Sequence, residues 1–133
     1  MQVSRAAWTI VGLLWVVCLL SYLDRQLVAA MPGPIKVDLK LGDEKFGLLS
    51  SVFLWIYGFC SPVAGYIADR VSKRLIIVVS LLIWSAATFL SGLATSFEGM
   101  LFARATLGVS EAFYMPAAVS LIVAYHRGPT RSR

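Results

Sequence analysis

An all-α membrane protein with four transmembrane helices is the fold this sequence predicts, on three observations. The 133 residues are 59% hydrophobic and only 14% charged, whereas soluble domains are roughly 45–50% apolar and about 25% charged. Mean hydropathy is +0.78. The apolar residues fall into four runs, each close to the roughly 20 residues a spanning helix needs, and most of the charges gather between them. A soluble fold of this length has no interior large enough for so much apolar surface, which must face lipid or other protein.

The first run covers residues 6–31. It is free of charge over 6–23, continues past Asp24 and Arg25, and is expected to stop at Pro32-Gly33-Pro34. Its charge-free stretch exceeds the 7–15 apolar residues of a signal peptide and no small-residue cleavage site follows, so it reads as a retained helix. The second run, 46–68, carries no charge and ends at Asp69-Arg70. The third, 75–94, is followed by a short turn through Thr95, Ser96 and Glu98. The fourth, 100–125, contains Arg104 and Glu111. No internal repeat, low-complexity stretch or domain boundary divides residues 1–133.

Cations between spans set orientation, because Lys and Arg are retained on the cytoplasmic side. With the N-terminus inside, that side holds Arg5, Arg70, Lys73, Arg74, Arg127, Arg131 and Arg133. The far side holds Lys36, Lys40 and Lys45, offset by Asp38, Asp43 and Glu44. Seven cations against three predict cytoplasmic N- and C-termini and a multi-pass protein of the cell inner (plasma) membrane. The net charge of +5 is spread over these short segments, a pattern of membrane topology and not of a nucleic-acid surface.

Little here suggests catalysis. Cys18 and Cys60 lie within apolar runs with no His or Cys at ligand spacing, and read as small apolar fillers. His126, the single histidine, adjoins Arg127 in a polar tail and reads as a solvated interfacial residue. No metal site, nucleophile triad or phosphate-binding loop can be assembled, so neither an enzyme nor a cofactor is expected.

Two features of the spans bear on function. Gly58, Ser61, Gly65 and Ala68 recur at helical spacing on the second span and form a smooth face of the kind that lets helices approach closely in lipid. Pro62 is tolerable there because neighbours in a bundle can satisfy the freed carbonyl. Gly58 and Ser61, with Gly108 and Pro116 on the fourth span, are the expected packing positions. The second feature is charge at membrane depth: Asp24, Arg25, Arg104 and Glu111. Each costs about 2.5–3.5 kcal/mol or more at the bilayer centre, which points to a wet cavity or mutual pairing and, by default, to an ion or substrate pathway. Arg104, Gly108, Glu111 and Met115 share one helix face, with Glu111 two turns, roughly 10.5 Å, from Arg104. That is too far for direct pairing unless both side chains lean together. Asp24 and Arg25 sit nearer the outer interface, where Arg25 has the length to snorkel.

At the junction of the second and third spans the residues read Gly65-Tyr66-Ile67-Ala68-Asp69-Arg70-Val71-Ser72-Lys73-Arg74. This resembles the G-x-x-x-D-R-x-G-[RK]-[RK] loop of the major facilitator superfamily, with Ser72 where Gly is usual, which leaves open how the turn is built. On the fourth span, Arg104-Ala105-Thr106-Leu107-Gly108-Val109-Ser110-Glu111-Ala112 followed by Pro116-Ala117 resembles the R-x-x-x-G-x-x-E-[AG] and Pro-Ala of the anion:cation symporter and spinster-like families. Tyr22-Leu23-Asp24-Arg25 is similar to their N-Y-[LIV]-D-R, with Ser21 replacing Asn. The three motifs fall in order on the expected spans and cover essentially the whole chain.

The resemblance implies helices 1–4 of the N-terminal six-helix bundle of a secondary active transporter, proton- or ion-coupled, for a small organic solute. An organic anion fits Arg25 and Arg104, and a lipid-like amphipathic solute fits a spinster-like protein. Asp24 and Glu111 balance the two arginines, so charge counting leaves both open. Gly65, Asp69, Arg70, Lys73 and Arg74 are implied to form a cytoplasmic gate, held closed by Asp69 and Arg70 in the outward-facing state. Glu111 is the expected proton-linked acid. A complete transporter of this kind has twelve helices in two halves, so the chain is expected to be a truncated piece, inactive alone, whose partners are the bilayer, the solute and the remainder of the transporter. The alternative is a small autonomous four-helix protein that dimerises to form a pathway.

Overall fold

The computed structural model describes residues 5–125. His126, Arg127, Arg131 and Arg133 lie outside the described residues. Five helices follow in order: α1 Arg5–Ala30, α2 Pro32–Leu39, α3 Asp43–Ala68, α4 Lys73–Leu93 and α5 Phe97–Tyr125. Four of them, α1, α3, α4 and α5, are long and apolar enough to cross a membrane. The described residues contain no strand, and the chain is an all-α, multi-pass membrane protein.

Helix α2 was not expected, since Pro32-Gly33-Pro34 reads as a stop. The stop is brief because Pro suits the first turn of a helix: its φ is preset and its missing N–H would have had no partner there. Pro32 begins α2. The helix closes on Lys40 in the left-handed region, φ 51°. The Lys40 N–H bonds the Val37 carbonyl at 3.3 Å and the Leu41 N–H bonds the Lys36 carbonyl at 2.9 Å. That is the double bond of a Schellman end, with buried Leu41 as its apolar plug.

The turn between α3 and α4 answers the question raised by Ser72. Asp69 keeps right-handed backbone angles, the Arg70 and Val71 N–H groups both bond the Ile67 carbonyl at 3.0 Å, and Ser72 has φ −56°. No residue in this turn needs the conformational freedom of glycine.

Helix α5 is the hub. It packs along α3 on one side and α4 on the other, with α1 lying more lightly against it. One apolar cluster joins Leu14, Ala68, Ile76, Ile77, Tyr114 and Ala117 near the α3–α4 turn. A second joins Phe53, Ala87 and Leu107 near the other end. Helices α3 and α5 approach closely at Gly108, where a Cβ would meet the Phe53 carbonyl at 3.0 Å and Ile56 at 3.3 Å. Gly58 and Gly65 were expected to line the approach face of α3, but a Cβ at either would meet nothing within 4 Å. Of that face Ala68 is buried, and helix α3 also turns Leu49, Phe53 and Ala64 toward the interior. Ser61 spends its hydroxyl on the Tyr57 carbonyl of its own helix, at 2.6 Å. Pro62 and Pro116 both lie inside continuous helices.

A charge cluster at the crossing of α1, α4 and α5

Arg104 and Glu111 lie on the buried surface of α5, 5% and 4% exposed, while Met115, expected on their face, is 37% exposed. Glu111 pairs with Arg25 of α1. The Arg25 Nε donates to Glu111 Oε2 at 2.9 Å and its Nη2 donates to the same oxygen. Arg25 therefore turns inward and does not snorkel, and Arg104 is not the partner of Glu111. Residues seven apart on one helix share a face but stand two turns apart, whereas a side chain from a crossing helix can arrive level with its partner.

The Arg25 guanidinium also stands 4.8 Å from the Phe53 ring centroid and 5.2 Å from that of Tyr57, and those two rings are stacked at 6.0 Å. Arg104 approaches the same Phe53 ring at 5.3 Å, so one aromatic side chain of α3 serves two cations. The Arg104 Nε is buried and has no hydrogen-bond partner among the described residues. Asp24 turns toward α4, where its Oδ2 accepts from Trp84 Nε1 at 3.2 Å and from Thr88 Oγ1 at 3.4 Å.

A cavity of about 240 Å³ opens beside this cluster, lined by residues that include Arg25, Gln26, Ser50, Phe53 and Arg104. Two arginines and no acidic residue line it. The four charges balance in sum, yet Arg25 and Arg104 are among the lining residues and neither acid is. Phe53, Tyr57, Trp84 and Thr88 were not singled out from the sequence. A run of aromatic residues on the span facing two arginines was the available signal, masked by the abundance of aromatics facing lipid.

The implied gate residues gather at the opposite end. Arg70 folds back over the Tyr66 ring, 3.6 Å from its centroid, and Arg74 donates to the Tyr125 hydroxyl at the end of α5. Lys73 and Arg74 occupy the first turn of α4, the positive end of the helix dipole, where a cation does not stabilise the helix. Their presence there calls for a reason other than helix stability. Asp69 is exposed at the end of α3.

The arrangement is a bundle of helices long and apolar enough to cross a membrane, with a charge cluster toward one end and a basic loop at the other. The family model described as Major Facilitator Superfamily matches residues 14–133, and the chain belongs to that family of transporters. Its relatives are spinster-like. It is 37% identical to Protein spinster homolog 1 of Xenopus tropicalis over 131 residues, which is 97% of this chain and 25% of the relative. It is 34% identical to Protein spinster of Drosophila melanogaster, over 91% of this chain and 20% of the relative. It is 31% identical to the sphingosine-1-phosphate transporter SPNS2 of Danio rerio, over 77% of this chain and 21% of the relative. The chain thus spans about a quarter or less of the length of these relatives.

Proposed function

We propose that the chain supplies the first four spanning helices of a secondary transporter that carries an organic anion in step with protons, with both termini on the cytoplasmic side of the cell inner membrane. The observation that carries this reading is the cavity lined by Arg25 and Arg104, beside a buried Arg104 Nε that has no hydrogen-bond partner among the described residues. A buried cation that lacks a partner is costly, and an anionic group entering the cavity would supply charge-assisted hydrogen bonds. Val28, Ala29 and Leu54 in the same wall suit an apolar body attached to the anionic head. The Danio rerio relative is named for such a solute, a phosphate monoester on a long alkyl chain.

Glu111 is the proton-linked acid in this reading. Its counter-charge, Arg25, comes from another helix, so movement of α1 against α5 alters the surroundings that set its affinity for a proton. Asp69, Arg70, Lys73 and Arg74 form the gate at the cytoplasmic end. Because the segment is about a quarter of its relatives' length, transport is proposed for a full chain that sets this bundle against an opposing one.

Proteoliposomes containing the full chain test the reading. Glu111→Gln is expected to abolish uphill uptake driven by a pH gradient while retaining exchange between equal concentrations, which needs no net proton movement. Arg104→Ala is expected to lower both by at least about thirtyfold, the cost of truncating one partner of a buried charged contact. A Glu111→Gln chain that concentrates anion as the parent does removes the proton role. An Arg104→Ala chain with unchanged exchange removes the anion site.

A further inference from the structure

Asp24 and Arg25 are consecutive on α1, so their side chains leave the helix about 100° apart and meet different neighbours. Two carboxylates and two guanidiniums in one cluster can pair in more than one way, since Coulomb attraction has no direction. Asp24 is the chain neighbour of Arg25, and Glu111 accepts from Arg25 across the bundle. Something must decide which acid takes Arg25.

The indole of Trp84 is placed to do so. Its Nε1 donates to Asp24 at 3.2 Å. Its ring packs on the Phe53, Ala87 and Leu107 cluster and also lines the small space beside Glu111 that Ser80 and Ser110 share. An indole N–H only donates, so its hold on a carboxylate does not depend on where a proton sits on Glu111. Thr88, longer at 3.4 Å and exposed, is the weaker second donor. We infer that Trp84 is a positioning residue: it commits the Asp24 carboxylate to α4 and thereby reserves Arg25 for Glu111. The functional part of this inference rests on the proposed role of the Arg25–Glu111 pair in coupling.

The contact is tested first without transport. In a full chain whose only tryptophan is Trp84, ultraviolet resonance Raman spectra report the hydrogen-bonding state of that one indole. Trp8, Trp15 and Trp55 are 60–65% exposed and accept Phe. A bonded N–H band that moves to its free position in Asp24→Ala is expected, and a band that Asp24→Ala leaves in place overturns the assignment. The functional part is tested by replacing Trp84 with 3-benzothienylalanine, which keeps the bicyclic shape and lacks the N–H. Proton-driven uptake is expected to fall about tenfold, the weight of a hydrogen bond to a charged group. Asp24→Ala on top is expected to restore most of the lost uptake, because without the competing carboxylate Arg25 is left to Glu111. Uptake equal to the parent's in the single variant, or a double variant that stays as low or falls further, refutes the positioning role. A parent that shows the Raman shift but no proton-driven anion uptake supports the contact and refutes the transport reading.

Discussion

Helices α5 and α1 both contribute charges to the same cluster, yet the bundle holds them in opposite ways. Helix α5 has ten buried residues, from Ala103 to Ala118, while α1 buries only Ala7 and Leu14. The first is fixed by apolar packing along most of its length. The second is packed around Leu14 and is otherwise attached at separate polar points: Arg25 to Glu111, Asp24 to Trp84, and the Leu14 carbonyl to the Tyr114 hydroxyl at 3.0 Å. Packing is summed over many small contacts and gives way all at once, whereas polar attachments can be exchanged one by one. Substitutions on α5 should therefore threaten the fold, and substitutions on α1 should alter how the helix is docked.

The largest expected effect lies on α5. Gly108→Leu places a side chain against the Phe53 carbonyl and Ile56 and is expected to destabilise the chain by about 3 kcal/mol, read by thermal unfolding in detergent. Gly58→Leu, on a surface that meets no described neighbour, is expected to change stability by less than about 0.5 kcal/mol. A large effect of Gly58→Leu in the full chain would place a further helix against that face.

Next comes the ion pair that joins the two helices. Arg25→Ala leaves the buried carboxylate of Glu111 without its partner and is expected to cost about 2 kcal/mol, moderated because the arginine side chain is one-third exposed (34%). Combining it with Glu111→Gln should cost less than the sum of the two single changes, with a coupling of about 1–2 kcal/mol in a double-mutant cycle. Strict additivity would show that the pair contributes no mutual stabilisation and that α1 is docked by other means.

A smaller effect than that of the ion pair belongs to Tyr114→Phe, expected to cost about 1 kcal/mol. The Leu14 carbonyl lies mid-helix in α1, where its own ladder also offers a donor, so no buried acceptor is stranded. Hydrogen exchange should quicken in α1 while α5 keeps its protection. Equal quickening of both helices would contradict the division between a packed hub and a point-attached helix.

The sequence by itself determined what depends on composition along the chain. The runs of apolar residues, and the charges between them, read as four spanning helices because the bilayer imposes a length and a solvent that every span must satisfy separately. The residues of the charge cluster were legible for the same reason: ionisable groups are conspicuous within apolar runs. Helix α2 was missed because Pro32-Gly33-Pro34 reads as a break, although proline in a first turn equally begins a helix. Only the tertiary structure decided who meets whom. Spacing puts Arg104 and Glu111 on one face of α5, but pairing depends on how α1 is rotated and how high it crosses. The roughly 100° between successive side chains lets Arg25 meet Glu111 while Asp24 meets Trp84. The same holds for the glycines. Gly58, Gly65 and Gly108 look alike in the sequence, and the packing of α3 on α5 makes Gly108 a point of close contact and leaves the other two open.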